Sequence, residues 1–266
     1  MQVDRRTRLT LRTCALLYLL VLLVVPVGLV FYRTFEHGIG HVIDSVSTPA
    51  AISAFWLTIE VAAIAVPLNA IFGIATAMAL ARGRFPGKRV LDAFIDLPFA
   101  VSPVVIGISL VLLYGRDGWF GFLLDDGIRI LFSTPGIVLA TVFVSLPFVA
   151  REVTPVLREI GVDQELAAAT LGATNWQTFW RITLPAIRWG LAYGIVLSTA
   201  RAIGEFGAVS VISGRVAGET QTLTILVEQR YNNFDLSGAY AASALLALIA
   251  LCTLLGMTAL SSRREI

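Results

Sequence analysis

Long apolar stretches alternate with short charged ones along this chain. A membrane-crossing helix needs about twenty mostly apolar residues, and six stretches meet or approach that length. They run from about Cys14 to Phe31, Ile52 to Ala81, Leu97 to Tyr114, Pro135 to Val149, Ile187 to Ile212 and Gly238 to Leu260. The fourth is short, which places its expected start back near Ile130. The pattern therefore predicts an all-α membrane protein of six transmembrane helices. The first stretch is too long for a typical signal-peptide core and no small-x-small site follows it, so it reads as an uncleaved signal anchor.

Composition agrees with this pattern. Of 266 residues, 57% are hydrophobic and 14% charged, against roughly a quarter charged in soluble domains. The net charge of +2 is too small to suggest nucleic acid, but its placement is informative. Arg5, Arg6, Arg8 and Arg12 crowd the first thirteen residues, a basic tail ahead of a six-span body at 14–266. Arg82, Arg84, Lys88 and Arg89 occupy the second connection, Arg151, Arg158, Arg181 and Arg188 the fourth, and Arg263 and Arg264 the end. The other connections hold only Arg33, Arg116, Arg129, Arg215 and Arg230. Positive charge gathers on the cytoplasmic side, so both termini are expected to be cytoplasmic.

Other residue types add less. Cys14 and Cys252 lie in apolar runs without metal-ligand spacing and read as small buried residues. His37 and His41 flank a glycine-rich stretch and read as a solvated loop. Pro26, Pro67, Pro98, Pro103 and Pro147 interrupt the stretches and predict bent helices, since proline removes a backbone donor.

The connection at about 151–188 has structure of its own. Asp163 to Gly172 reads as a short helix, with Asp163 as its cap, alanines of high helix propensity, and Gly172 as a left-handed stop. Thr174 and Gln177 match a capping box for a second helix. Trp176, Phe179, Trp180 and Thr183 then share one face, and Pro185 fits a stop. The alanine run offers little to a membrane but permits close approach of another protein.

This segment resembles the EAA loop of ABC-importer permeases. Ala167, Ala168, Gly172, Ile182, Leu184 and Pro185 stand where that motif requires them. One position departs: Leu166 occupies the motif's glutamate position, and the acid is next door at Glu165, about 100° around the helix. The stretches Phe179–Pro185, Arg201–Val209, Ile212–Gly214 and Gly218–Thr220 are similar to the sulfate and molybdate branch, most of all to its W-type sulfate permease subunits. The resemblance implies a type I ABC-importer permease fold moving sulfate or thiosulfate by alternating access, with molybdate or tungstate as the alternative cargo. It implies a related T-type permease, or a second copy of the chain, as partner. A cytosolic ATPase dimer carrying ATP and Mg, an extracytoplasmic sulfate-binding protein and the inner membrane of a prokaryote complete the expectation. Docking to the ATPase is expected through an apolar plug centred on Ala167, Ala168 and Gly172.

Charged residues inside the apolar stretches point to the path. Arg201 and Glu205 are four apart and can pair on one helix face. With Gly204, Phe206 and Ser102 they are the candidate lining or gate of an anion path, because ionisable groups in lipid face a bundle interior or water. Ser109, Ser145 and Ser198 offer further hydroxyls, Glu60 and Asn69 are polar outliers, and Gly190-x-x-x-Gly194 permits close helix approach. The only lysine, Lys88, lies in Gly83–Arg89, which lacks P-loop spacing and the following Ser or Thr. No catalytic cluster stands out, so the chain reads as a non-enzymatic subunit without a cofactor of its own. Two rival readings remain: an intramembrane enzyme, which needs paired catalytic residues where only Arg201 and Glu205 come close, and an ATP-independent channel or secondary transporter, which predicts an inverted repeat that the sequence does not display.

Overall fold

In hydrocarbon there is no water to satisfy backbone groups, so an apolar chain must close its hydrogen bonds locally. In the computed structural model, which describes residues 5–262, this produces helices and no strand. The expected basic residues Arg263 and Arg264 lie outside the described residues. Helix α1 (Arg5–Leu19) passes through a π-helical turn (Leu20–Val24) into α2 (Val25–Phe35), and α3 (Ile39–Val46) follows. Then come α4 (Pro49–Arg82), α5 (Lys88–Ala100), α6 (Pro103–Tyr114), α7 (Phe122–Asp125) and α8 (Thr134–Glu159). The remainder comprises α9 (Asp163–Thr170), α10 (Asn175–Thr178), a second π-helical turn (Phe179–Thr183), α11 (Leu184–Ile203), α12 (Gly207–Ile212), α13 (Leu223–Asn232) and α14 (Leu236–Ser262).

Among the described residues, four helical stretches are long and apolar enough to cross a membrane: Thr7–Phe35, Pro49–Arg82, Thr134–Glu159 and Leu236–Thr253. The pair α5 and α6 makes a fifth if its 110° bend is counted within one span. Two expected spans therefore differ from straight helices. The stretch from Leu97 to Tyr114 is bent at Val101 and Ser102, both extended in backbone. The stretch from Ile187 to Ile212 breaks between α11 and α12, at Gly204, Glu205 and Phe206. The fourth stretch starts at Thr134 rather than near Ile130 and continues past Val149 to Glu159. Arg151 to Glu159 is thus part of α8, not of a connecting loop.

Three of the prolines leave their helices unbroken. Pro67, Pro98 and Pro147 lie inside continuous helices. Pro103 opens α6 just after the sharp bend, and Pro26 follows the first π-helical turn. Cys14 and Cys252 are free and exposed, not buried. His41 bonds Ser237 at 2.9 Å and belongs to α3, so only His37 lies in a turn.

The centre of the bundle is α4 packed along α8, with α11 against both. Between helices in lipid, attraction comes from close packing and hydrogen bonding rather than from water exclusion. Small residues make that approach possible: Ala54, Ala62, Ala65, Gly73 and Ala77 on α4, and Gly136, Ala140, Ser145 and Ala150 on α8, are all buried. At mid-length Asn69 Nδ2 donates to Ser145 Oγ at 2.7 Å, and Ser145 Oγ donates to Thr141 O at 2.5 Å. Further along, Ala77, Val149, Val153, Leu157 and Ile187 form one apolar cluster joining α4, α8 and α11.

The Gly190-x-x-x-Gly194 seam is used inside the chain. A Cβ at Gly190 lies 3.0 Å from Glu152 O, and one at Gly194 only 2.8 Å from Val149 Cα. Backbone cannot yield as a side-chain tip can. Gly194→Leu is therefore expected to destabilise the purified chain by about 1–3 kcal/mol, the usual cost of overpacking. Gly28→Leu, at a position with open space around it, is the control. Thermal unfolding in detergent checks this; equal midpoints for the two variants would refute the tight α8–α11 seam.

Candidate functional site

The segment between α8 and α11 folds back on itself as two short helices. Residue Val162, not Asp163, precedes α9, and no side chain caps it; Asp163 instead sits in the first turn beside Glu165, where negative charge favours the helix dipole. Gly172 ends the helix with φ of +82°, a left-handed conformation that suits glycine. Ala173 N then donates to Ala168 O at 3.0 Å. The expected capping box forms fully: Thr174 Oγ1 accepts from Gln177 N, and Gln177 Oε1 accepts from Thr174 N. Pro185 is not a stop. The π-helical turn carries α10 into α11 without interruption, and Pro185 lies in the first turn of α11.

Glu165 faces inward. Its carboxylate takes Arg82 Nε at 3.1 Å and Nη2 at 3.3 Å, and Thr183 Oγ1 donates to it at 3.0 Å. The same guanidinium donates to Leu157 O at 2.7 Å and to Gly161 O. One cation at the last position of α4 thus fastens the end of α8, the start of α9 and the π-helical turn. Arg82 carries no sign of this in the sequence beyond its place at the end of an apolar run. Thr183 was legible only as one residue of an aromatic face.

The other motif residues divide into two sets. Leu184 packs on the apolar cluster of α4, α8 and α11, Ile182 is half-buried, and Ala168 is buried. Ala168 therefore cannot form the outer part of a docking plug. Leu166 and Leu171 stand 60% and 88% exposed, with Ala167, Gly172 and Pro185 also at the surface. Trp176, Phe179 and Trp180 stack edge and face beside them, with ring centres 5.4–6.4 Å apart. The outcome is an exposed apolar tip on an anchored base.

The second group of candidate residues surrounds the break between α11 and α12. Glu205 is 2% exposed, and Arg201 Nη1 reaches its Oε2 at 2.5 Å. Its other oxygen accepts from Ala208 N at 2.8 Å, capping α12, while its carbonyl accepts from Thr224 Oγ1 at 2.9 Å. A small internal cavity beside the carboxylate is lined by Thr58, Thr141 and Thr222. Gly204 supplies the break, and Phe206 is part-exposed.

Ser102 joins this group through packing. A Cβ at Gly207 lies 2.8 Å from Pro103 Cβ, and one at Gly107 lies 2.8 Å from Ala208 O. The bend at Val101–Ser102 and the break at Gly204–Phe206 are therefore neighbours across the α6–α12 contact. The Ser102 hydroxyl caps nothing and is exposed. Among the residues singled out on the apolar stretches, Ser198 and Asn69 are buried, whereas Glu60 is exposed on α4.

A helical bundle with an anchored, apolar-tipped hairpin and broken helices has known counterparts. Residues 69–266 match the family described as the binding-protein-dependent transport system inner membrane component. The chain belongs to that family. The permease is 52% identical over 241 residues to the "Sulfate transport system permease protein CysW" of Synechocystis sp., covering 90% of this chain and 87% of that one. It is 38% identical to the "Sulfate transport system permease protein CysT" of Synechococcus elongatus, covering 92% and 88%. A solved bacterial ABC transporter involved in alginate import has the same fold, with a TM-score of 0.81, 18% identity and 98% of each chain covered.

Proposed function

We propose that this permease is the transmembrane subunit of an ATP-driven importer that carries sulfate across the inner membrane of a prokaryote by alternating access. Similarity to sulfate permeases over nine-tenths of the chain supports the cargo. Six crossings complete the topology: the four long helices, the bent pair α5–α6, and α11 with α12. Both termini are cytoplasmic, which puts Arg82, Lys88, Arg158 and Arg181 on the side where positive charge gathers.

The observation that carries ATP coupling is the exposed tip of the α9–α10 hairpin. Leu166 and Leu171 project from a base held by Arg82. An apolar knob of this kind fits a groove on another protein, and large exposed apolar residues mark such contacts. Its partner is a dimer of ABC ATPases, which bind ATP and Mg; this chain supplies neither nucleotide site nor cofactor. The Glu165 carboxylate is occupied within the chain, so docking relies on shape and apolar contact centred on Leu166, Ala167, Leu171 and Gly172. A T-type permease is the second membrane subunit, and an extracytoplasmic sulfate-binding protein delivers the cargo.

Anion passage is assigned to the paired helix breaks. Ser102 and Phe206 line the path or gate, and Arg201, Gly204 and Glu205 hold the break that shapes it. The test is ATP-dependent sulfate uptake in proteoliposomes holding the permease pair, ATPase and binding protein. Leu171→Asp is expected to lower uptake by about tenfold or more, since hot-spot apolar contacts carry 2 kcal/mol or more. The amount of permease in the membrane should not change. Full uptake by this variant removes the tip from the coupling role, and sulfate flux through the chain alone without ATP removes the importer reading.

A further inference from the structure

The start of α5 carries two recesses that share Arg89 and Val90. One is a cavity of about 540 Å³ walled by Phe85, Lys88, Arg89, Asp92 and Arg158. The other is a shallow groove of about 310 Å³ along Val90, Ala93, Phe94 and Leu97. These four positions follow helical spacing and form one face of α5. The opposite face packs Leu91 and Ile95 onto Leu80 and Ala150. The groove is therefore the outward face of a helix already seated on the bundle.

The cavity is cationic. Asp92, its single acid, is paired with Arg151 Nη1 at 2.8 Å. Lys88 Nζ donates once, to Gly83 O at 3.1 Å, and keeps two further donors. Among the described residues neither Arg89 nor Arg158 has an ion-pair partner, and both are exposed. The uncapped N-terminus of α5, at Gly87, opens into the same cavity and adds a favourable dipole for an anion.

We infer that these recesses form a binding site for an anionic phospholipid, with the headgroup phosphate among Lys88, Arg89 and Arg158 and an acyl chain along Val90, Ala93, Phe94 and Leu97. A cationic pocket continuous with an apolar groove matches the two ends of such a lipid. A free phosphate would use the first recess and leave the second unexplained. Basic pockets at the membrane surface between helices are suited to such headgroups. The site rests on the proposed membrane function in one respect: the start of α5 must lie at the bilayer surface. Its test reads lipid binding without transport, so failure of the sulfate assignment would leave it standing.

The full chain in detergent is stripped of lipid and titrated with phosphatidylglycerol or phosphatidylcholine, with bound lipid read by native mass spectrometry. Phosphatidylglycerol should bind on the order of tenfold more tightly than phosphatidylcholine, as expected for several basic contacts. In K88Q/R89Q/R158Q the preference should vanish. If that variant fails to elute as the native species, R89Q and R158Q are read singly, each with a loss of roughly threefold. Equal phosphatidylglycerol binding by these variants, or no preference in the wild type, overturns the site. Displacement of the lipid by millimolar inorganic phosphate makes it a soluble-anion pocket and also overturns the proposal. So does cross-linking of Phe94→Cys to an ATPase or second permease in the assembled transporter, because a protein then covers the groove.

Discussion

A chain carrying Glu205→Ala is expected to reach only a small fraction of the wild-type level of folded protein. The carboxylate is almost wholly buried, pairs with Arg201 and caps α12 through Ala208 N. Its removal leaves the Arg201 charge against the bundle interior and the first turn of α12 without its acceptor. Breaking a fully buried pair from one side costs about 3–5 kcal/mol; Arg201 keeps 30% of its side chain exposed, so the loss here is smaller, yet still a sizeable share of the roughly 5–15 kcal/mol that holds a typical domain. Glu205→Gln keeps an oxygen for Ala208 N and loses only the charge, so it should fall between. The measurement is the monodisperse peak and thermal midpoint after detergent extraction; wild-type values for the alanine variant would show that the pair holds nothing together. Arg201→Ala strands the buried Glu205 carboxylate without its cation and should therefore lower the folded yield as well. Uptake per folded transporter should still fall by about tenfold, the effect of about 1.4 kcal/mol, because Arg201 holds the break that shapes the path. Uptake at the wild-type rate takes Arg201 out of the path.

Much of the bundle could be read from the spacing of apolar residues, and the departures have physical causes. Arg151 ended the fourth apolar window because a charge reads as a connection. In the fold it is held by Asp92 at 2.8 Å and Asp96 at 2.6 Å, so α8 runs on for two more turns. Periodicity also cannot tell a kinked helix from two helices meeting at 110°. That bend depends on Gly207 and Gly107 letting α12 lie against α6, a contact between residues a hundred positions apart. The hairpin was more legible because its signals are local: the Thr174–Gln177 box and the left-handed Gly172 both formed as their residue types require. What sequence could not show was which face of α9 points out. The spacing argument centred the tip on Ala167, Ala168 and Gly172; burial of Ala168 moves its weight to Leu166 and Leu171.

The role of Glu165 turns on Arg82, and its loss should uncouple the transporter without dismantling it. Arg82 lies at the end of α4 and makes hydrogen bonds to Leu157 O, Gly161 O and both oxygens of Glu165. It therefore ties the hairpin to α4 and α8, the two helices at the centre of the bundle. Arg82→Ala removes that linkage at a local cost of about 1–3 kcal/mol, the price of buried acceptors left unmatched. The helices themselves, packed through Gly73, Ala77 and Val149, stay in place. Arg82→Lys should recover little, because a single ammonium cannot reproduce the planar fork that reaches four acceptors. Two readouts are needed. Trypsin should cut faster at Arg158 and Arg181, which flank the loosened segment, and ATP-dependent uptake should fall by roughly tenfold while the ATPase still co-purifies. A loop that stays resistant to trypsin, with uptake unchanged, would mean that the clamp is dispensable. Faster cleavage with normal uptake would mean that motion passes through Leu184 and α11 instead. The predicted pairing of both losses follows from one guanidinium serving as the joint between the proposed docking surface and the central helices.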